Sequence, residues 1–129
     1  MHLQAILAVG VGGMLGALSR WLLGIALNPV FPALPLGTLT ANLLGGYLVG
    51  MAAGYFHLHA DLPAYLKLFV ITGFLGGLTT FSSFSAEVVE RLLGGHPLLA
   101  LSLASLHLGG SLLGTWLGLL SVGAGRVWG

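Results

Sequence analysis

Residues 73–85 combine groups that can contact an ion with a sequence that disfavours a regular helix. The segment contains three glycines, two threonines and three serines beside aromatic rings, inside a long apolar stretch. Backbone left unpaired in hydrocarbon costs roughly several kcal/mol per group, so helices are interrupted at membrane depth only where protein or water surrounds them. Such interruptions are usual places for ion or substrate contacts. We therefore predict a break near residues 76–80 and a role in permeation.

Asn42 is a polar residue in the middle of a second apolar stretch. It forms a stripe with Thr38, Gly46 and Gly50, each four residues from the next. Its amide has two donor hydrogens and an acceptor oxygen, so it can join helices or contact a permeating species. The small residues beside it favour a pore-facing position for Asn42 and Thr38.

A third polar set consists of His107, Ser111 and Thr115, which share one helix face because they are four residues apart. Hydroxyls in membrane helices often bond to their own backbone, so these side chains are either satisfied internally or form a polar track. His107 either donates to an anion or is a neutral histidine with its hydrogen bonds satisfied.

Phe81 and Phe84 are three residues apart and are expected on one helix face. Core packing is the ordinary role of such a pair. An aromatic ring has a positive edge and a negative face, however, so ring edges directed into a narrow pore would bind a small anion.

Two charged residues border these segments. Arg20 lies near the end of the first apolar stretch, and Glu87 follows residues 73–85. Arg20 either extends to the membrane interface or attracts anions into a vestibule. Glu87 either faces an aqueous mouth or pairs with Arg20 or Arg91.

The composition predicts an integral membrane protein. The chain has 129 residues, of which 57% are hydrophobic and 5% are charged, whereas an ordinary soluble domain has about 25% charged residues. Mean hydropathy is +1.02. A net charge of +1 with no basic run gives no reason to expect nucleic acid as a partner.

Four segments have the roughly 20 apolar residues that a spanning helix needs. They cover residues 3–27, 36–56, 64–93 and 97–122. The connections are short, so neighbouring helices should be antiparallel. We predict an all-α, multi-pass protein with one domain over residues 1–129 in a lipid bilayer.

Glycine spacing and charge balance both favour an antiparallel homodimer. Glycines four residues apart occur in all four segments, and such faces let helices approach closely, within one bundle or between subunits. With four spans, Lys67 and Arg126 lie on one side of the membrane, and Arg20 and Arg91 on the other. Since Lys and Arg normally collect on the cytoplasmic side, this balance predicts insertion in both orientations.

Three motifs resemble those of the Fluc (CrcB-type) fluoride channels of bacterial membranes, and the likeness covers the whole chain. Residues 13–21, GMLGALSRW, resemble the family's first-helix motif, with Trp21 where Tyr is commoner. Residues 37–45, GTLTANLLG, resemble its second-helix motif, with Ala41 where Val is usual. Residues 73–84 resemble its third-helix signature, the most specific of the three.

The resemblance implies a passive channel that exports fluoride through two antiparallel pores of a dual-topology homodimer. The location implied is the inner membrane of a bacterial cell. The third helix would break in its middle, where backbone carbonyls of Gly76 and Thr79 from both subunits would hold a structural Na⁺.

The resemblance also implies roles for the polar residues. Fluoride would meet Asn42 and the edges of Phe81 and Phe84. His107 stands in the polar track where a serine is more usual, a change that can alter the pH dependence. The remaining assignments are a pore track of Thr38, Ser111 and Thr115 and a vestibule containing Arg20 and Glu87.

Two other classes of membrane protein share some features of this sequence. A small multidrug transporter also forms antiparallel dimers, but it needs an acid in its first helix, and the only charge there is Arg20. A non-transporting subunit of a larger complex fits the glycine faces but leaves Asn42 and the phenylalanine pair unexplained. No reactive constellation is found in the sequence, so an enzyme is not expected.

Overall fold

The computed structural model describes residues 2–126, and all regular structure in that range is helical. The predicted domain ends, residue 1 and residues 127–129, lie outside it. The elements are α1 (His2–Leu27), a 3₁₀ turn (Asn28–Val30), α2 (Leu36–Leu58), α3 (Ala64–Lys67), a π-helix (Leu68–Leu75), α4 (Gly76–Leu78), α5 (Phe81–Leu93) and α6 (Pro97–Ser121).

Four helical segments in the described range are long and apolar enough to cross a membrane, which confirms the four predicted spans. α2 continues to Leu58, two residues beyond the predicted end, while α6 ends at Ser121, one residue before it. α3, the π-helix, α4 and α5 together form the third span, Ala64–Leu93.

Helical geometry is interrupted between α4 and α5. Thr79 and Thr80 are extended, with ψ angles of 154° and 121°. The Thr80 hydroxyl then accepts a hydrogen bond from the Ser83 N–H at 3.0 Å, which caps the first turn of α5. Two extended residues thus join a first half of the third span, residues 64–78, to a second half, α5.

Glycines let the helices pack backbone to backbone within the chain. α1 packs against residues 64–78, and α2 packs against α6. A Cβ atom at Gly16 would overlap the carbonyl oxygen of Phe74, and one at Gly50 would overlap that of Thr115. The contacts of these glycine faces are therefore made inside one chain, as close approach of membrane helices requires.

The fully buried core is small and contains polar groups. Ala41, Leu75 and Leu78 form its apolar cluster. Asn42 and His107 are also buried, with 6% and 2% of their surfaces exposed. Most large apolar side chains face outward, because lipid tails solvate them as well as a protein interior would.

Candidate ion pathway

Asn42 joins α2 to the extended residues of the third span through two hydrogen bonds. Its Oδ1 accepts from the Thr80 backbone N–H at 2.7 Å. Its Nδ2 donates to the Thr80 carbonyl oxygen at 2.9 Å. Because a backbone N–H can only donate, this pair also fixes which side of the amide is oxygen. The side chain thereby satisfies backbone groups that the interrupted helix leaves without partners.

His107 is the second partner of the Asn42 amide. The distance between Asn42 Nδ2 and His107 Nδ1 is 2.8 Å. The imidazole also stacks on the ring of Phe84, with a centroid separation of 4.8 Å and an interplanar angle of 12°. His107 therefore links α6 to both α2 and α5.

The two phenylalanine rings contact each other at the start of α5. Their centroids are 4.7 Å apart in an edge-to-face arrangement. Phe84 is partly buried against His107, whereas 74% of the Phe81 surface is exposed. The rings thus extend from the polar interior of the chain to its surface.

A cavity of about 240 Å³, called the inner cavity below, lies among these groups. Its lining includes one amide, one imidazole, hydroxyl groups and two aromatic rings, so it offers hydrogen-bond donors and ring edges within a largely apolar wall. The lining residues that matter here are Asn42, Thr80, Phe81, Phe84, His107 and Ser111.

Two hydroxyls of α6, those of Ser111 and Thr115, are directed toward the backbone of α2. Thr115 Oγ1 donates to the carbonyl oxygen of Gly46 at 2.9 Å or to that of Ser111 at 3.0 Å. Ser111 Oγ donates to the Asn42 carbonyl oxygen at the long distance of 3.4 Å. Ser111 lines the inner cavity, but Thr115 is not among its lining residues.

A second cavity of about 370 Å³, called the outer cavity, shares one lining residue, Thr80, with the inner cavity. Arg20, Thr38 and Glu87 are among its lining residues. Thr38 Oγ1 donates to Glu87 Oε2 at 2.9 Å. Arg20 Nε donates to the carbonyl oxygen of Gly77 at 3.0 Å.

Within residues 2–126, Glu87 forms no salt bridge with Arg20 or Arg91, the two partners that the sequence left open. Its only salt-bridge contact in that range joins Oε1 to His107 Nε2 at 3.9 Å. Arg91 instead donates to the carbonyl oxygens of Ala33 and Pro32 at 3.3 and 3.0 Å. Arg20 shares the outer cavity with Glu87, so its charge still acts on that space.

The carbonyl groups predicted to hold a cation lie at the interruption. In an unbroken helix the Thr80 N–H would bond to the carbonyl oxygen of Gly76, but here it donates to Asn42. Thr79 is extended and precedes α5. Carbonyl oxygens outside a helical hydrogen-bond ladder are suitable ligands for Na⁺ in membrane proteins, so the residues present fit this ion.

The comparisons with known proteins agree on one family. The model of the family described as CrcB-like protein, Camphor Resistance (CrcB), matches residues 7–119. The chain belongs to the CrcB family. A CrcB relative from Dechloromonas aromatica, named fluoride-specific ion channel FluC, is 65% identical over 95% of this chain and 90% of its own length. Relatives of the same name from Ralstonia pickettii and Thiobacillus denitrificans are 60% and 52% identical over 92% and 93% of this chain, and over 94% and 97% of their own lengths.

Some contacts of this CrcB chain were not predicted from its sequence. One is the N-cap of α5 by Thr80, a residue type that is common directly before a helix. Another is made by Asn28, whose Oδ1 accepts from the N–H groups of Gly37 and Thr38 at 2.7 and 3.2 Å. These bonds satisfy the first turn of α2, which positions Thr38.

Proposed function

We propose that this chain is a passive, fluoride-selective channel that exports fluoride from the cytoplasm of a bacterial cell. The inner cavity carries the proposal, because it places an amide, a hydroxyl and two aromatic rings around a space of about 240 Å³. The chain is also a multi-pass membrane protein whose relatives are named fluoride-specific ion channels. No catalytic role is proposed.

Fluoride must exchange its hydration water for hydrogen-bond donors of the protein as it passes through the pore. The Asn42 amide and the positive edges of Phe81 and Phe84 are suitable donors for a small anion. The Ser111 hydroxyl can turn toward the inner cavity at little cost, because its present bond is 3.4 Å long. Thr115 holds a shorter bond to Gly46 and serves mainly to join α2 to α6.

The outer cavity is proposed as the vestibule. The Arg20 guanidinium raises the local concentration of anions there, and Glu87 opposes it. Hydrogen fluoride crosses membranes as a neutral acid and dissociates at near-neutral pH, which traps fluoride in the cell. A negative-inside potential drives the anion out through a passive pore with about 2.3 kcal/mol per charge for each 100 mV.

The working form is proposed to be an antiparallel homodimer with two pores. Phe81 is an aromatic pore candidate that one chain leaves 74% exposed, and a second copy would cover it. The even distribution of four Lys and Arg residues supports insertion in both orientations. The chain has no cysteine, so a single cysteine introduced at position 2 can be labelled from each side of the membrane. Labelling from both sides is expected, and labelling from one side alone contradicts dual topology.

A structural Na⁺ is proposed at the dimer centre, held by the carbonyl oxygens of Gly76 and Thr79 from both subunits. When bound, the ion would balance the partial charge of carbonyls that the interrupted helix leaves without N–H donors. Replacing Na⁺ by a bulky organic cation should then dissociate purified dimers. Dimers that persist after complete exchange would argue against the ion.

Growth of a fluoride-sensitive bacterium that lacks its own exporter tests the proposed function. Expression of this chain should restore growth in fluoride and lower cellular fluoride. Asn42→Asp is the matched control, because it differs by one amide group and places an acid in the proposed path. Failure of a well-expressed, membrane-inserted chain to restore growth would favour a non-transporting subunit.

A further inference from the structure

The hydrogen bonds around Asn42 fix the tautomer of His107. The Thr80 N–H can only donate, so Oδ1 of Asn42 faces it and Nδ2 faces both the Thr80 carbonyl oxygen and His107. An amide nitrogen can only donate, so His107 Nδ1 must accept. The neutral imidazole therefore carries its hydrogen on Nε2.

The Nε2 side of His107 faces Glu87. His107 Nε2 and Glu87 Oε1 are 3.9 Å apart, and both atoms are buried without a hydrogen-bond partner in the described range. The other carboxylate oxygen, Oε2, is bonded to Thr38. Buried polar atoms without partners are costly, so a rearrangement that brings this donor and acceptor together is favourable.

We infer that His107 is a positioning residue that makes fluoride conduction depend on pH. In its neutral form it holds the Asn42 amide, and in its protonated form it releases Asn42 and turns toward Glu87. The only covalent bond that forms is the N–H bond at His107 Nδ1, and the solvent supplies the proton. This inference rests on the proposed function, since it concerns the regulation of the same pore.

Protonation must break the bond to Asn42, because two donors would then face each other across 2.8 Å. In the neutral form both amide hydrogens of Asn42 are occupied, one by Thr80 and one by His107. Release of His107 frees one of these hydrogens for fluoride and adds a positive charge beside the inner cavity. Fluoride conduction should therefore rise as pH falls.

The charged groups around His107 favour a fluoride conduction that rises as pH falls. α5 presents the Glu87 carboxylate, whose charge a neutral His107 leaves uncompensated and an imidazolium would offset. Glu90 and Arg91 are the next charged residues of α5, and Arg20 of α1 lines the outer cavity with Glu87. From α2 the neighbouring groups are the uncharged side chains of Asn42, which contacts His107, and Thr38, which contacts Glu87.

Fluoride currents in planar bilayers test the inference, because hydrogen fluoride is neutral and carries no current. As the solution is acidified from neutral pH to below the range in which an exposed histidine titrates, the wild-type current should rise about fivefold. His107→Asn should conduct without this pH dependence, since its Oδ1 can accept from Asn42 but cannot be protonated there. His96→Asn is the matched control, because His96 is exposed in the α5–α6 turn, and it should keep the wild-type profile.

Glu87→Gln distinguishes the two titratable residues. The rise in current should persist but move to lower pH, because the imidazolium loses the carboxylate that stabilises it. A pH-independent wild-type current, or a His107→Asn current that keeps the wild-type response, would overturn the inference. So would loss of the response in Glu87→Gln alone.

Nitrogen NMR of the labelled imidazole gives a readout that does not require conduction. His107 should carry its hydrogen on Nε2 at neutral pH and gain one on Nδ1 on acidification. The opposite neutral tautomer would overturn the inference whatever the chain conducts. Absence of any fluoride current together with the expected NMR spectrum would instead count against the proposed function.

Discussion

The two halves of the third span differ in how they contact the rest of the chain. Residues 64–78 pack against α1 through glycines, and Gly73, Leu75 and Leu78 are buried there. α5 has no buried residue, carries Phe84 and Glu87, and packs against α6. The first is called the packing half and α5 the site half. The extended residues between the two halves therefore separate close backbone packing from side-chain chemistry.

The largest expected effect is on folding, at the contact between α1 and the packing half. Gly16→Ala places a Cβ atom against the Phe74 carbonyl oxygen, and such overpacking should cost about 3 kcal/mol of unfolding free energy. Gly10→Ala is the matched control, because nothing lies within 4 Å of a Cβ there. Denaturant unfolding in detergent measures the difference. Equal stability of the two variants would contradict the backbone contact.

Asn42→Asp should leave the fold assembled but lower the fluoride flux about 100-fold, a barrier increase of about 2.7 kcal/mol. An ionised carboxylate cannot donate to the Thr80 carbonyl or to His107, and it repels an anion. Flux from liposomes with equal amounts of reconstituted protein measures the effect. A normal flux would reduce Asn42 to a contact between helices.

Phe84→Ile should lower the flux about tenfold, or about 1.4 kcal/mol, because the ring edges and the stacking on His107 are lost. Phe69→Ile makes the same change in the packing half, outside the inner cavity, and should leave the flux within about twofold of wild type. The ratio of the two fluxes is the informative quantity. Equal losses would remove the distinction between the two halves.

The smallest expected effect separates two of the α6 hydroxyls, those of Ser111 and Thr115. Thr115→Val removes a bond to the Gly46 carbonyl at 2.9 Å, so it should lower stability by about 0.6 kcal/mol, the average for membrane hydrogen bonds. Its flux should change by less than about twofold. Ser111→Ala should reduce flux more, since Ser111 lines the inner cavity. The reverse order would show that the pore follows Thr115 instead.

The four spans could be predicted from the sequence because hydrophobic length depends only on local composition. Membrane-helix ends are less strongly determined, and α2 accordingly runs two residues past its predicted end. The sequence of residues 73–85 predicts an irregular segment, since glycines and hydroxyl residues are poor at maintaining one smooth helix.

The contacts around the inner cavity could not be predicted in the same way. Asn42 lies 38 residues from Thr80 and 65 residues from His107 along the chain. Their hydrogen bonds depend on how α2, α5 and α6 pack, and no spacing within one helix reports that arrangement. The pairing of Thr38 with Glu87, 49 residues apart, has the same origin, and the sequence left arginine partners open for this carboxylate.

Fluoride efflux from liposomes tests the central claim most directly. The purified chain would be reconstituted, a potassium ionophore added to relieve charge build-up, and external fluoride followed with an electrode, with chloride as the comparison anion. Fast, ionophore-dependent efflux of fluoride but not of chloride is the predicted result. Absence of fluoride efflux from well-folded protein, or equal efflux of chloride, would contradict the account.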